Sequence, residues 1–280
     1  MTKKEKKRQK DSLFIGLFLL IKFVFSIPFY ILNFIVKLVR KIIQLTKKSE
    51  KIIEEKKSEK KREKIPSIYS KFKIVKKIDG SFEDWEKKLL KSDSTIGIIL
   101  GARGSGKTAI AIKTFENIYK KTSAKLYAIG FKKEALPSWI EVVDSIDQIK
   151  NNAHILIDEG GILFNSRSSM SKPNKLLSDL MLIARHKNLS ILFISQNSSN
   201  LEVNILRQAD YLILKPSSLL QKSFERKIIM KLYEETSADF KKFKDDKGLA
   251  YLHSDDFQGF ISNQLPSFWN KEVSKSWEKK

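Results

Sequence analysis

The 280-residue sequence predicts an α/β fold with a mostly parallel sheet covered by helices on both faces. Three observations predict it. Short apolar runs alternate with amphipathic segments from about residue 95 onward, a glycine-rich stretch falls where one run meets a helix, and another run ends in two adjacent carboxylates.

The elements follow in chain order. Residues 1–12 form a basic tail, and residues 13–36 an apolar stretch interrupted by Lys22, Ser26, Pro28 and Asn33. Its 24 residues are enough to cross a bilayer as one helix, which needs about 20. A cleavable signal peptide fits poorly, because the run is long and no small-residue cleavage site follows it. Two topologies fit: a single span, or a shallow hairpin that breaks near Pro28. Residues 37–64 are a Lys/Glu-rich connector whose Leu38, Val39, Ile42, Ile43, Ile52 and Ile53 recur on one helical face. Pro66 ends it, and residues 65–280 are expected to form the folded domain.

Within that domain, Ser81-x-x-Asp84 marks a helix start, with the helix running to about residue 92. Strands are expected at 95–100, 125–129, 154–157, 189–195 and 211–214, and helices at 107–120, 172–184 and 203–208. Residues 249–253 and 257–262, joined by Ser254-Asp255-Asp256, read as a hairpin.

Charge and composition bound the chemistry. The net charge is +22, and residues 1–64 alone carry 19 basic against 7 acidic side chains. Beside an apolar stretch, that excess suits anionic lipid headgroups. The remaining residues carry 35 basic and 25 acidic side chains, which suits a nucleic-acid partner or a lysine-rich solvated surface. The absence of cysteine excludes disulfides, zinc–thiolate sites and thiol catalysis.

Gly101-Ala102-Arg103-Gly104-Ser105-Gly106-Lys107-Thr108 fits G-x-x-x-x-G-K-[ST], with a strand before it and a helix after it. Glycines at these positions let backbone N–H groups turn onto phosphates, and the helix N-terminus adds its positive end. Lys107 is the expected cation for the β- and γ-phosphates of ATP, and Thr108 the expected hydroxyl ligand of Mg2+. Arg103 sits inside the loop without an assigned role beyond lining it. His154-Ile155-Leu156-Ile157-Asp158-Glu159 is an apolar strand delivering two carboxylates at its end, Asp158 for the Mg2+ shell and Glu159 for the attacking water. The strand through Ile194 ends in Ser195-Gln196, where a glutamine can hydrogen-bond a phosphate or water. Arg185, just before that strand, is either an arginine finger for a neighbouring subunit or a helix-end cation favoured by the macrodipole. Arg207 is a second candidate.

Taken together, the order of phosphate-loop strand, one extra strand at Lys125–Ile129, Asp158-Glu159 strand, Arg185-His186 and Ser195-Gln196 strand resembles the additional-strand, catalytic-glutamate (RecA/ASCE-like) P-loop ATPases. Within them, the chain is most similar to the FtsK/HerA superfamily, which includes viral genome-packaging ATPases and Zot-like phage assembly proteins. The resemblance covers roughly residues 94–235. It implies a homo-oligomeric ring, often hexameric, that moves DNA through its centre using ATP, and it favours Arg185 as the residue acting in trans. It also departs from that pattern. The large insertions of cellular DNA pumps are missing, and Zot-like proteins usually carry their membrane segment after the ATPase domain. The sequence expectation is a membrane-anchored DNA-translocating or DNA-packaging ATPase on the cytoplasmic side. The rivals are a Zot-like motor acting on protein or virion components, and a nucleotide-gated scaffold.

Overall fold

The structure is a computed structural model that describes residues 36–47, 53, 56, 59, 60, 62, 64–91, 94–158, 182–270 and 273. The chain divides into Met1–Ser58 and Glu59–Lys280. In the first unit, residues 36–47 are helical and exposed, so Leu38, Val39, Ile42 and Ile43 share a helix as their spacing predicts. The membrane helix expected at 13–36 lies outside the described residues except for Val36. Among the described residues, no helix is long and apolar enough to cross a membrane.

The second unit is built on one mixed sheet of nine strands among the described residues. These are β1 (Lys73–Gly80), β2 (Ile96–Leu100), β3 (Lys125–Ile129), β4 (Ile140–Val142), β5 (Ala153–Asp158), β6 (Leu189–Ile194), β7 (Tyr211–Leu214), β8 (Leu249–Ser254) and β9 (Phe257–Ser262). Parallel strands run in the order β7-β2-β6-β5-β3-β4. The antiparallel hairpin β8–β9 continues the sheet beside β7, and β1 pairs with β9 at the edge.

Strand pleating sorts the core into two layers. Ile98, Leu100, Ile155, Ile157, Ile191 and Phe193 face one side, and Ile99, Leu156, Leu192 and Ile194 the other. On the second side, helix α1 (Phe82–Lys91) contributes Phe82, Trp85 and Leu89, and helix α2 (Lys107–Thr122) contributes Ile110, Phe115 and Ile118. The first side is closed by helix α3 (Val203–Arg207) through Ile205, and by helix α5 (Lys227–Lys242) through Ile229 and Tyr233. The short helix α4 (Leu219–Ser223) precedes α5. Because both faces of the central strands are covered, they read as unbroken apolar runs. Burying each such Ile or Leu contributes roughly 1.5–3 kcal/mol.

The predicted start of α1 is observed, with Ser81 Oγ accepting the Asp84 N–H at 3.3 Å. The predicted helix at 172–184 falls largely outside the described residues, of which 182–187 are helical. Sequence reading misses β1 and β4 among the strands and α4 and α5 among the helices. β1 is an edge strand of mostly exposed residues, rich in lysine, so it lacks the apolar alternation that marks a strand. Lys73 and Lys76 instead pair with Asp246 (2.6 Å) and Asp239 (2.7 Å). β4 is only three residues long.

Candidate nucleotide-binding site

Parallel strands deliver their C-terminal ends to one edge of the sheet, where ligands bind in open α/β sheets. Here the register aligns those ends closely. Ile99 and Asp158 both pair with Ile194, and Leu100 pairs with Leu214. The segments leaving β2, β5, β6 and β7 are therefore neighbours, and they bring together the loop 101–108, Asp158, Ser195-Gln196 and Lys215-Pro216.

The loop is shaped by its glycines. Gly101 has φ 152° and Gly106 φ 89°, both outside what most side chains tolerate. A Cβ on Gly101 would sit 2.6 Å from Lys215 Cβ, so no larger residue fits. Gly106 is the N-cap of α2 and offers no side-chain cap. The cap residue thus places no side chain over the helix N-terminus, the arrangement that receives an anion. Beside Gly104 a Cβ would meet nothing within 4 Å, so the loop's outer side is open.

Lys107 opens α2 and is 8% exposed. Its ammonium donates to Gly101 O (2.8 Å) and Ala102 O (2.9 Å), which keeps the charge on the loop. Thr108 is half-buried on the next residue, and Arg103 and Gly104 are exposed. Asp158 is buried at the end of β5, one strand away from β2 across β6. One carboxylate and one hydroxyl suit Mg2+, which takes few protein ligands and completes its shell with water and phosphate oxygens. Among the described residues, no group of three or more His, Cys, Asp or Glu side chains could hold a metal by itself. Glu159 lies outside the described residues.

Gln196 is exposed just past β6, between the loop strand and the Asp158 strand. Its carbonyl accepts from Gln221 Nε2, and the turn that follows is held by Glu225, whose carboxylate accepts the Ser198 N–H at 2.8 Å. These contacts from α4 and the residues after it fix where Gln196 emerges.

Arg185 and Arg207 are placed elsewhere. Both are exposed and precede the N-terminal ends of β6 and β7, at the opposite edge of the sheet. A six-residue strand rises roughly 3.3 Å per residue, so Arg185 stands about 20 Å from its own chain's loop.

His154 and Lys215 are among the buried titratable groups that no sequence motif marks. His154, on β5, is pushed down to about 4 by burial, so it is neutral and acts as a core residue against Phe115. Lys215 follows β7, is 1% exposed, and is pulled down to about 7 by burial. No motif marks Lys215. Its only sequence signal is a lysine at the end of an apolar strand.

A glycine loop closing the C-terminal edge of a parallel sheet, with one strand inserted between it and an acidic strand end, defines a P-loop NTPase fold of the additional-strand group. Within that class, residues 114–213 match the family model described as Zonular occludens toxin (Zot). That stretch starts inside α2 and ends in β7, so it takes in Asp158, Arg185 and Gln196 but not the loop 101–108. Three solved structures are similar to parts of the chain. One is the genome-packaging NTPase B204 from Sulfolobus turreted icosahedral virus 2 in complex with ATPγS, at 15% identity and TM-score 0.41, covering 62% of this chain and 99% of that one. Another is the pCW3 conjugation coupling protein TcpA, monomer form with ATPγS, at 12% identity and TM-score 0.43, covering 75% and 72%. A third is EssC (ATPases 2 and 3) from Geobacillus thermodenitrificans, at 9% identity and TM-score 0.38, covering 66% and 43%. No curated protein matches the chain.

Proposed function

We propose that the chain binds ATP–Mg2+ in the loop 101–108 and hydrolyses it to translocate or package DNA, working as a membrane-anchored ring. The observation that carries the nucleotide site is the aligned sheet edge. It gathers a helix N-terminus without a side-chain cap, a buried lysine and a buried aspartate at one edge, with only β6 between the strands that carry them.

In this reading, phosphate oxygens replace Gly101 O and Ala102 O as partners of the Lys107 ammonium. The backbone N–H groups from Gly104 to Thr108 receive the rest of the phosphate charge. Thr108 and Asp158 would hold Mg2+, which would supply positive charge against the phosphates. Glu159 takes a proton from the attacking water, the bond from the water oxygen to Pγ forms as the bond from Pγ to the bridging oxygen breaks and ADP leaves, and Gln196 hydrogen-bonds the water or the γ-phosphate. DNA as the transported polymer is supported by the FtsK/HerA likeness and by the basic excess of residues 65–280.

The Zot match over residues 114–213 favours a second reading, a motor acting on protein or virion components. Hydrolysis rates with and without double-stranded DNA separate the two. DNA is expected to stimulate hydrolysis, in a salt-sensitive way because phosphate contacts release counterions. Glu159→Gln is expected to bind ATP and stop turnover in either condition. Turnover indifferent to DNA at low salt would remove DNA from the account, and turnover surviving in Glu159→Gln would remove the proposed base.

The membrane anchor is proposed on the length and apolarity of residues 13–36, with the ATPase domain on the cytoplasmic side where ATP is. A single span places the basic tail outside, against the positive-inside tendency, while a hairpin keeps it inside. In the cysteine-free chain, Thr2→Cys gives one reactive thiol. Labelling of intact cells by an impermeant reagent is expected for the single span. Protection until lysis supports the hairpin, and recovery of the chain in the soluble fraction overturns anchoring altogether.

A further inference from the structure

Lys215 has no part in the chemistry described above, yet it lies directly behind the loop. Its backbone N–H donates to Leu100 O at 2.8 Å, and the next carbonyl, Pro216 O, accepts the Ala102 N–H at 3.0 Å. The side chain continues beneath the loop. A Cβ on Gly106, the cap of α2, would lie 3.7 Å from Lys215 Cε and 3.8 Å from its Nζ. The ammonium itself donates to Gly248 O (2.6 Å), Leu249 O (3.0 Å) and Asn263 Oδ1 (3.4 Å). Leu249 opens β8 and Asn263 follows the last residue of β9, so one side chain joins the floor of the loop to both ends of the hairpin.

Packing alone does not explain a lysine at this position. Burying a cation costs several kcal/mol unless a countercharge accompanies it, and an apolar residue of the same length would fill the space without that cost. Three oxygens match the three N–H donors of an ammonium, which is the satisfied geometry of a charged lysine. All three oxygens belong to uncharged groups, however, and among the described residues Lys215 has no ion pair. The missing negative charge is what phosphates in the loop would supply, acting across a few ångströms of low-dielectric interior.

We propose that Lys215 is a positioning residue for the phosphate-binding loop, tying it to the base of the β8–β9 hairpin so that nucleotide in the loop and order in the hairpin stabilise each other. This rests on the reading of residues 101–108 as a nucleotide site. The hairpin thereby becomes the element through which the state of the loop reaches the outer, antiparallel part of the sheet.

The test compares the wild-type chain with Lys215→Met and Asn263→Ala by ATPγS–Mg2+ titration and hydrogen exchange, with unfolding midpoints measured without nucleotide. In the wild type, ATPγS is expected to slow exchange both in the loop and along 249–254 and 257–262. Lys215→Met is expected to weaken ATPγS binding about tenfold and to lose the nucleotide-dependent protection of the hairpin. Asn263→Ala, which touches the link only at its hairpin end, is expected to shift both readouts the same way by less. A purely structural role would lower the unfolding midpoint while leaving nucleotide-linked protection of the hairpin intact, and that result overturns the proposal. So does wild-type protection confined to the loop. Should Lys215→Met not fold, Asn263→Ala decides, with unchanged affinity and unchanged hairpin protection counting against the link. A wild-type chain that fails to bind ATPγS overturns the nucleotide site and this proposal together, whereas normal wild-type binding with unaffected variants overturns the proposal alone.

Discussion

Lys107→Ala is expected to weaken nucleotide binding by about 10²-fold or more, the largest binding effect of any single substitution in the chain. Lys107 is buried and its ammonium already rests on two loop carbonyls, so the charge is held at the loop. Charged hydrogen bonds are worth about 1.5–3 kcal/mol each, and losing two accounts for that factor. Alanine supplies neither the charge nor the reach, and it leaves Gly101 O and Ala102 O without their lysine donor. Titration with ATPγS–Mg2+ measures the loss, and the unfolding midpoint without nucleotide shows whether the fold survives. An affinity within threefold of wild type in a folded variant would sink the assignment of the loop. The contrast with Glu159→Gln is informative, since that variant should retain ATP while this one should not hold it.

The parallel core and the loop were legible because their physics is local. Strands buried on both faces write themselves as apolar runs, and the stretch from Gly101 to Thr108 carries the glycines and cation that a phosphate cradle requires. The relation between these parts was not local. Nothing in the chain order says that β6 lies between β2 and β5, yet that placement brings Gln196 into the gap between the loop and Asp158. β1 was missed because an edge strand with lysines outward has no apolar period to read. Lys215 escaped for the opposite reason. A buried lysine looks like any strand-end cation until its three acceptors, drawn from residues 33 to 48 positions away, are seen around it. Placing Arg185 and Arg207 at the far edge also required the sheet, because distance along the chain says nothing about which edge a helix end occupies.

Arg185→Ala is expected to leave ATP affinity unchanged and to slow hydrolysis by about 10³-fold, the lower end of what an arginine finger contributes. The fold separates two explanations that the sequence leaves open. Arg185 is exposed, about 20 Å across the sheet from its own loop, so it cannot touch phosphates bound in the same chain. Any large effect on turnover must then act on a neighbouring subunit's nucleotide. A helix-end cation serving only the macrodipole would instead cost at most about 1 kcal/mol of stability and leave hydrolysis near normal. Mixing tests the trans route directly. Arg185→Ala and Glu159→Gln subunits, each nearly inactive alone, place one intact site at every interface where a subunit that retains Glu159 faces a neighbour that retains Arg185. Partial recovery of hydrolysis in mixed assemblies is therefore expected. Arg207→Ala provides the comparison, since it changes an exposed arginine at the same edge. If Arg185→Ala slows turnover but mixed assemblies that demonstrably exchange subunits recover none of it, Arg185 does not act in trans. If Arg207→Ala produces the slow, rescuable phenotype instead, the finger belongs to α3.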